Sequence, residues 1–175
     1  MKHLFLLRHA KSSWDDPALA DHDRPLARRG RRAAKVMAKH LGRKGIAPEL
    51  VLCSPSRRTR ETLARIEPGL GESADVRIDS ELYAASAAAL LEVLHEVPDE
   101  VEAVMLIAHN PGIQDLALSL ARAGSESARV RSKFPTAALA TLQFNGGWRE
   151  LAPGSAELVS FVKPKELSRG AASGA

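Results

Sequence analysis

Three short apolar runs limit the folds open to this chain more than any other feature. Leu4–Leu7, Leu50–Cys53 and Val104–Ala108 are unbroken rather than alternating. Each is too short for a buried helix. Runs of this kind read as strands covered on both faces, as in a parallel sheet. The stretches between them have helical spacing. Leu26, Gly30, Ala33, Ala34, Met37 and Leu41 form one apolar stripe, opened by Pro25-Leu26 and stopped near Gly42 and Gly45. Pro55 suits a second helix with Ser54 as its N-cap, ending near Pro68-Gly69. Ser86 caps a third helix that buries Ala89, Leu90, Val93 and Leu94. Ile113, Leu116, Ala117 and Leu120 mark a fourth. Further strands are expected at Val76–Ile78, Ala137–Phe144 and Glu157–Val162, with a turn at Asn145-Gly146-Gly147 ahead of Trp148–Leu151. Strands alternating with helices argue for an α/β sandwich.

The 175 residues suit one domain over 1–167, with the small, polar stretch Ser168–Ala175 expected as a mobile tail. Ser12–Arg24 reads as a loop over the end of the first strand.

The three apolar runs share a second property: each ends in polar residues of one chemical flavour. The first gives Arg8 and His9, the second Ser54 and then Arg57 and Arg58, and the third His109 and Asn110. If the three strands run parallel, these residues meet at one sheet edge, where open α/β sheets bind ligands. That pocket would hold two imidazoles and at least two guanidiniums beside two helix starts. Neither strand-end histidine has a carboxylate next to it in sequence, so phosphate is the natural guest.

A net charge of +4 favours anionic partners in general. The charges of Arg28–Arg32 and Lys35 read as a solvated helix face, and no interleaved aromatics support nucleic acid. No run is long enough to span a membrane. The two histidines lack a third ligand, and neighbouring arginines repel cations, so no metal is expected. Cys53 is the one cysteine; it reads as a buried small hydrophobe, and the absence of any disulfide suits a reducing cytoplasm. Trp14 reads equally as a wall of the pocket mouth or a pin for its loop.

Arg8-His9-Ala10, Ser54-Pro55-x-x-Arg58-x-x-x-Thr62 and His109-Asn110-Pro111 occur in that order. Together they resemble the histidine phosphatase superfamily, and Leu26-x-x-x-Gly30 fits a further element of its pattern. Arg-His-Ala-Lys-Ser-Ser-Trp, Asp-x-Asp-Arg-Pro-Leu, Glu-Leu-Tyr and His-Asn-Pro-Gly look most like the SixA-type phosphohistidine phosphatases. The resemblance implies a phosphoglycerate-mutase-like fold, a three-layer α/β/α sandwich with a mostly parallel central sheet. It also implies a phosphatase that works without metal or cofactor. His9 would attack phosphorus and form a phosphohistidine intermediate, while Arg8, Arg58 and His109 bind the phosphoryl oxygens, His109 as the cation. A hydrogen bond from the other ring nitrogen of His9 to a backbone carbonyl would fix its tautomer. The substrate would be phosphohistidine in a protein; a small phosphomonoester, or phosphate binding without turnover, is the alternative.

Four positions depart from the family pattern: Ala10 and Ala108 replace glycines, Thr59 replaces alanine, and Asp15 stands where relatives often carry asparagine. Asp15 is expected to turn away from phosphate or to meet Arg or Lys. For a general acid the choices are Glu81, Asp21 and Asp23. None stands out, which itself points to an N–P bond, whose imidazole leaving group needs less protonation than an alkoxide.

Overall fold

The computed structural model describes residues 1–71 and 74–173. Its strands are β1 (Lys2–Arg8), β2 (Leu50–Cys53), β3 (Asp75–Ile78), β4 (Ala103–Ala108), β5 (Leu139–Phe144) and β6 (Glu157–Val162). They form a single sheet in the order β3-β2-β4-β1-β5-β6. β1 to β4 are mutually parallel, while β5 and β6 run antiparallel. The helices are α1 (Arg28–Arg43), α2 (Arg57–Ile66), α3 (Ala87–His95), α4 (Gly112–Leu120), α5 (Ser125–Ser132) and α6 (Pro164–Ser173).

The unbroken apolar runs are explained by two separate cores. Leu4 and Leu6 of β1, Leu50 and Leu52 of β2, and Val104 and Leu106 of β4 pack on one side, against α3 and α4. The alternate residues Phe5, Leu7, Val51, Cys53, Met105 and Ile107 pack on the other, against Met37 and Leu41 of α1 and Leu63 and Ile66 of α2. Successive side chains of a strand face opposite ways, so a strand between two helical layers must be apolar at every position. The register sets Arg8 opposite Ala108 and Cys53 opposite Ile107. The residues that follow these three strands therefore emerge at one edge.

Several local expectations differ from what is seen. α1 starts at Arg28 rather than at Pro25-Leu26. The residues before it are held by the first loop instead: Leu26 bridges Ser12, and the Ala27 N–H donates to the Lys11 carbonyl. Gly30 permits this close approach, because a Cβ there would lie 2.1 Å from the Lys11 oxygen. α2 is capped by Ser56, whose hydroxyl accepts from the Thr59 N–H, and not by Ser54, which is used elsewhere. Trp148 opens a 3₁₀ turn (Trp148–Glu150), fully buried with its indole N–H donating to the Val101 carbonyl. Neither α5 nor α6 was anticipated. α6 runs as far as Ser173, and residues 174–175 lie outside the described residues. Among the described residues no helix is long and apolar enough to cross a membrane.

Candidate active site

His9 follows β1 directly. Its main chain donates to the Ala108 carbonyl, and its ring Nδ1 lies 2.7 Å from the Ala10 carbonyl oxygen. A carbonyl can only accept, so Nδ1 carries the proton and Nε2 keeps its lone pair. Nε2 makes no hydrogen bond among the described residues. The Ala10 N–H donates to Thr62 Oγ1, which in turn donates to the Arg58 carbonyl. This pair of bonds ties the turn after His9 to the first turns of α2.

His109 faces His9, with ring centroids 5.2 Å apart. Its Nε2 is 2.7 Å from Ser54 Oγ, and its Nδ1 is 3.4 Å from Arg58 Nη2. A guanidinium cannot accept, so Nδ1 takes the bond from Arg58 and Nε2–H donates to Ser54. Both nitrogens of His109 are engaged, whereas His9 keeps one free. Sequence reasoning placed Ser54 at this edge but assigned it the local cap; its long-range bond to His109 prevails, and Ser56 takes the cap.

Both imidazoles are neutral. Burial pushes the His9 pKa down to about 3, reinforced by His109, Arg58 and Arg8 and opposed by the bond to Ala10. Burial, followed by the adjacent Arg58 charge, lowers His109 to about 4. A buried ring beside a guanidinium disfavours a second positive charge, so the expected cationic form of His109 depends on an anion at the site.

Arg58 is buried. It donates from Nη1 to the Asp21 carbonyl at 2.7 Å and from Nη2 to Asp21 Oδ2 at 3.0 Å. Arg8 donates from Nη1 to the Phe134 carbonyl, which also accepts from the Asn110 amide. The Nε–H groups of Arg8 and Arg58 are buried and have no hydrogen-bond partner among the described residues. Asn110 Oδ1 is likewise buried and without a partner among the described residues, so two orphaned donors and one orphaned acceptor lie at this sheet edge.

Of the three acid candidates, Asp21 reaches the cluster. Its Oδ2 accepts from the Tyr83 hydroxyl at 2.6 Å as well as from Arg58, and its Oδ1 accepts from Arg24. The Tyr83 hydrogen bond, with the Arg58 bond and charge behind it, holds its pKa at about 2. Asp21 is thus a carboxylate with no proton to give near neutral pH. Asp23 is exposed beside His22, 3.6 Å away. Glu81 is exposed in the short turn Ser80–Leu82, and its carboxylate makes no hydrogen bond or ion pair among the described residues. Tyr83, which entered the sequence reading only as part of a motif, packs edge-on to His109, with ring centroids 5.5 Å apart and an interplanar angle of 89°.

The departures have simple explanations. The methyls of Ala10 and Ala108 are buried, one in each core. Thr59 Oγ1 donates toward the Ser54 carbonyl, tightening the α2 entrance. Asp15 is exposed and forms no ion pair among the described residues. Trp14 is pinned under the Arg24 guanidinium, 3.6 Å from its ring centroid. Burial raises the Cys53 thiol to about 12, so it is no nucleophile near neutral pH.

The two neutral histidines make a stability prediction. Their folded pKa values lie below the unfolded value of about 6.5. Their contribution is therefore complete above that pH and is lost as pH falls toward 4 and 3. Each proton bound only by the unfolded chain lowers stability by about 1.4 kcal/mol per pH unit. The thermal midpoint should fall between pH 7 and pH 4, and a His9→Gln/His109→Gln double variant should fall less steeply. An unchanged slope in that variant would contradict neutral, buried imidazoles.

Residues 4–86 match the sequence model of the Histidine phosphatase superfamily (branch 1). An uncharacterized protein of Mycobacterium tuberculosis is 39% identical over 163 residues, covering 91% of this chain and 100% of its own. Among solved structures, a candidate phosphohistidine phosphatase SixA from Nakamurella multipartitia superimposes with a TM-score of 0.83 at 32% identity, covering 93% of this chain and 96% of that one. A second SixA candidate, from Agrobacterium tumefaciens, gives a TM-score of 0.78 at 28% identity, covering 93% and 98%.

Proposed function

The chain belongs to the histidine phosphatase superfamily, and from that premise we propose that it removes phosphate from phosphohistidine in a protein, with His9 as nucleophile. Nε2 of His9 attacks phosphorus in line. The new N–P bond forms as the bond to the leaving imidazole breaks, and that electron pair stays with the leaving ring. Water then attacks phosphorus, and the His9–phosphorus bond breaks to give inorganic phosphate. Arg8, Arg58 and His109 hold the three equatorial oxygens. A phosphate brought beside His109 favours protonation of its Nδ1, so the cationic form belongs to the occupied site.

One observation carries the substrate reading: the carboxyl group nearest the cluster, Asp21, is held ionised by Tyr83 and Arg58. A site without a ready acid suits a leaving group that needs little protonation, and an imidazole leaving phosphorus is such a group. Asp21 takes the role of a positioning residue for Arg58. We also propose a reducing cytoplasm as the setting, since the one cysteine is a buried thiol.

The test compares phosphate release from a phosphohistidine protein with release from a panel of phosphomonoesters. The expected kcat/KM for the phosphohistidine protein exceeds that of the best ester by about 100-fold, roughly 2.7 kcal/mol of transition-state preference. An ester turned over as well or better would reassign the substrate to small phosphomonoesters. Stoichiometric phosphate binding with no turnover of any substrate would leave a binding module.

A further inference from the structure

A groove of about 1140 Å³ opens beside the active site, and Arg8 lines it. Arg29 and Arg32 reach it from the first turns of α1, Lys133 from the segment before β5, and Lys163 and Lys165 from the start of α6. Eight of its fourteen lining residues are Lys or Arg and none is Asp or Glu, so its field has a single sign.

The local acid does not offset that field. Glu166 of α6 is turned to Arg129, which also binds Glu126 and the Phe161 carbonyl. Arg29, Arg32, Lys133 and Lys165 form no ion pair among the described residues. Unpaired like charges gathered on two packed helices repel one another, and an anionic occupant relieves that repulsion.

The rest of the lining selects among anions. Ala33, Val36 and Pro135 give the groove an apolar component that accepts side-chain methylenes. No aromatic residue lines it, so bases have nothing to stack on. Its volume far exceeds what one phosphate group needs.

We propose that this groove binds an acidic stretch of the phosphorylated protein, adjoining the phosphohistidine presented to His9. The proposal rests on the substrate reading above and adds to it a preference for acidic sequence. Recognition acts through KM, because the groove cations lie outside the reacting centre.

Two phosphohistidine peptides test it, identical except for Asp/Glu-rich or Ser/Gly-rich flanks, with phosphoimidazole as a probe that cannot reach the groove. The wild-type kcat/KM should be tenfold or more higher for the acidic peptide, with the difference in KM and diminished by salt. An Arg29→Glu/Arg32→Glu/Lys165→Glu variant should lose the preference and hydrolyse phosphoimidazole at the wild-type rate. Arg29→Lys/Arg32→Lys should keep the preference. No preference in the wild type, or one that survives in the triple variant, overturns the proposal. Fluorescence anisotropy of the unphosphorylated acidic peptide separates this from the chemistry. If no phosphohistidine probe is turned over, the substrate reading fails, while binding lost in the triple variant still sustains the groove. Absence of binding overturns it, as does tighter binding of a single-stranded oligonucleotide at the same site.

Discussion

His9→Ala should lower phosphate release by about 10⁴-fold or more and abolish acid-labile phosphate labelling of the chain. Removing a covalent nucleophile removes the whole two-step route, which is why such losses exceed those of any one binding contact. The neighbouring imidazole cannot substitute. His109 donates from Nε2 to Ser54 and receives Arg58 at Nδ1, while His9 alone keeps an unengaged Nε2. The variant should fold. The His9 side chain's hydrogen bond is to the next residue's carbonyl, and losing one such bond costs about 1 kcal/mol. Circular dichroism and the thermal midpoint check folding, and a phosphate-release assay checks the rate. A variant that folds and retains more than a tenth of wild-type turnover would remove His9 from the nucleophile's role.

Arg58→Ala is the second large effect, a fall in kcat of about 10²–10³-fold. Arg58 is buried in the first turn of α2, contacts His109, and carries a buried Nε–H with no partner among the described residues. In the proposed transition state its fork of donors would meet charge shifting onto the phosphoryl oxygens. Arg58→Lys keeps the charge but not the fork, so it should recover only part of the loss. The same substitution to Ala frees Asp21 and takes away the charge that follows burial in lowering the His109 pKa, so that pKa should rise. NMR titration of the His109 ring reads this shift, and steady-state kinetics reads the rate. Activity within tenfold of wild type, or an unmoved His109, would contradict the assigned contact.

The parts of the site visible in the sequence are those fixed by strand ends. Leu4–Leu7, Leu50–Cys53 and Val104–Ala108 are buried on both faces, so their unbroken apolarity announced the parallel sheet and the shared edge holding His9, Arg58 and His109. What stayed hidden depends on long-range geometry. Ser54 satisfies a local capping rule in sequence, but a partner 55 residues away claims its hydroxyl. Asp21 was recognisable as a candidate acid, but the Tyr83 and Arg58 bonds that hold it ionised exist only once the first loop folds over α2. The charge of His109 depends on burial, which sequence does not show. The Phe134 carbonyl shared by Arg8 and Asn110 had no signal at all, being backbone. α5 buries only Ser127 and Val130, and its Ser-Glu-Ser-Ala-Arg-Val-Arg-Ser sequence offers no apolar stripe to read.

The most direct test is mass spectrometry of the chain quenched at alkaline pH during turnover of a phosphohistidine protein, asking which residue carries phosphorus. One phosphoryl group on His9, stable in base and released in acid, is the expected result. Phosphorus on His109 or any other side chain, or continued phosphate release with none on the chain, would contradict it.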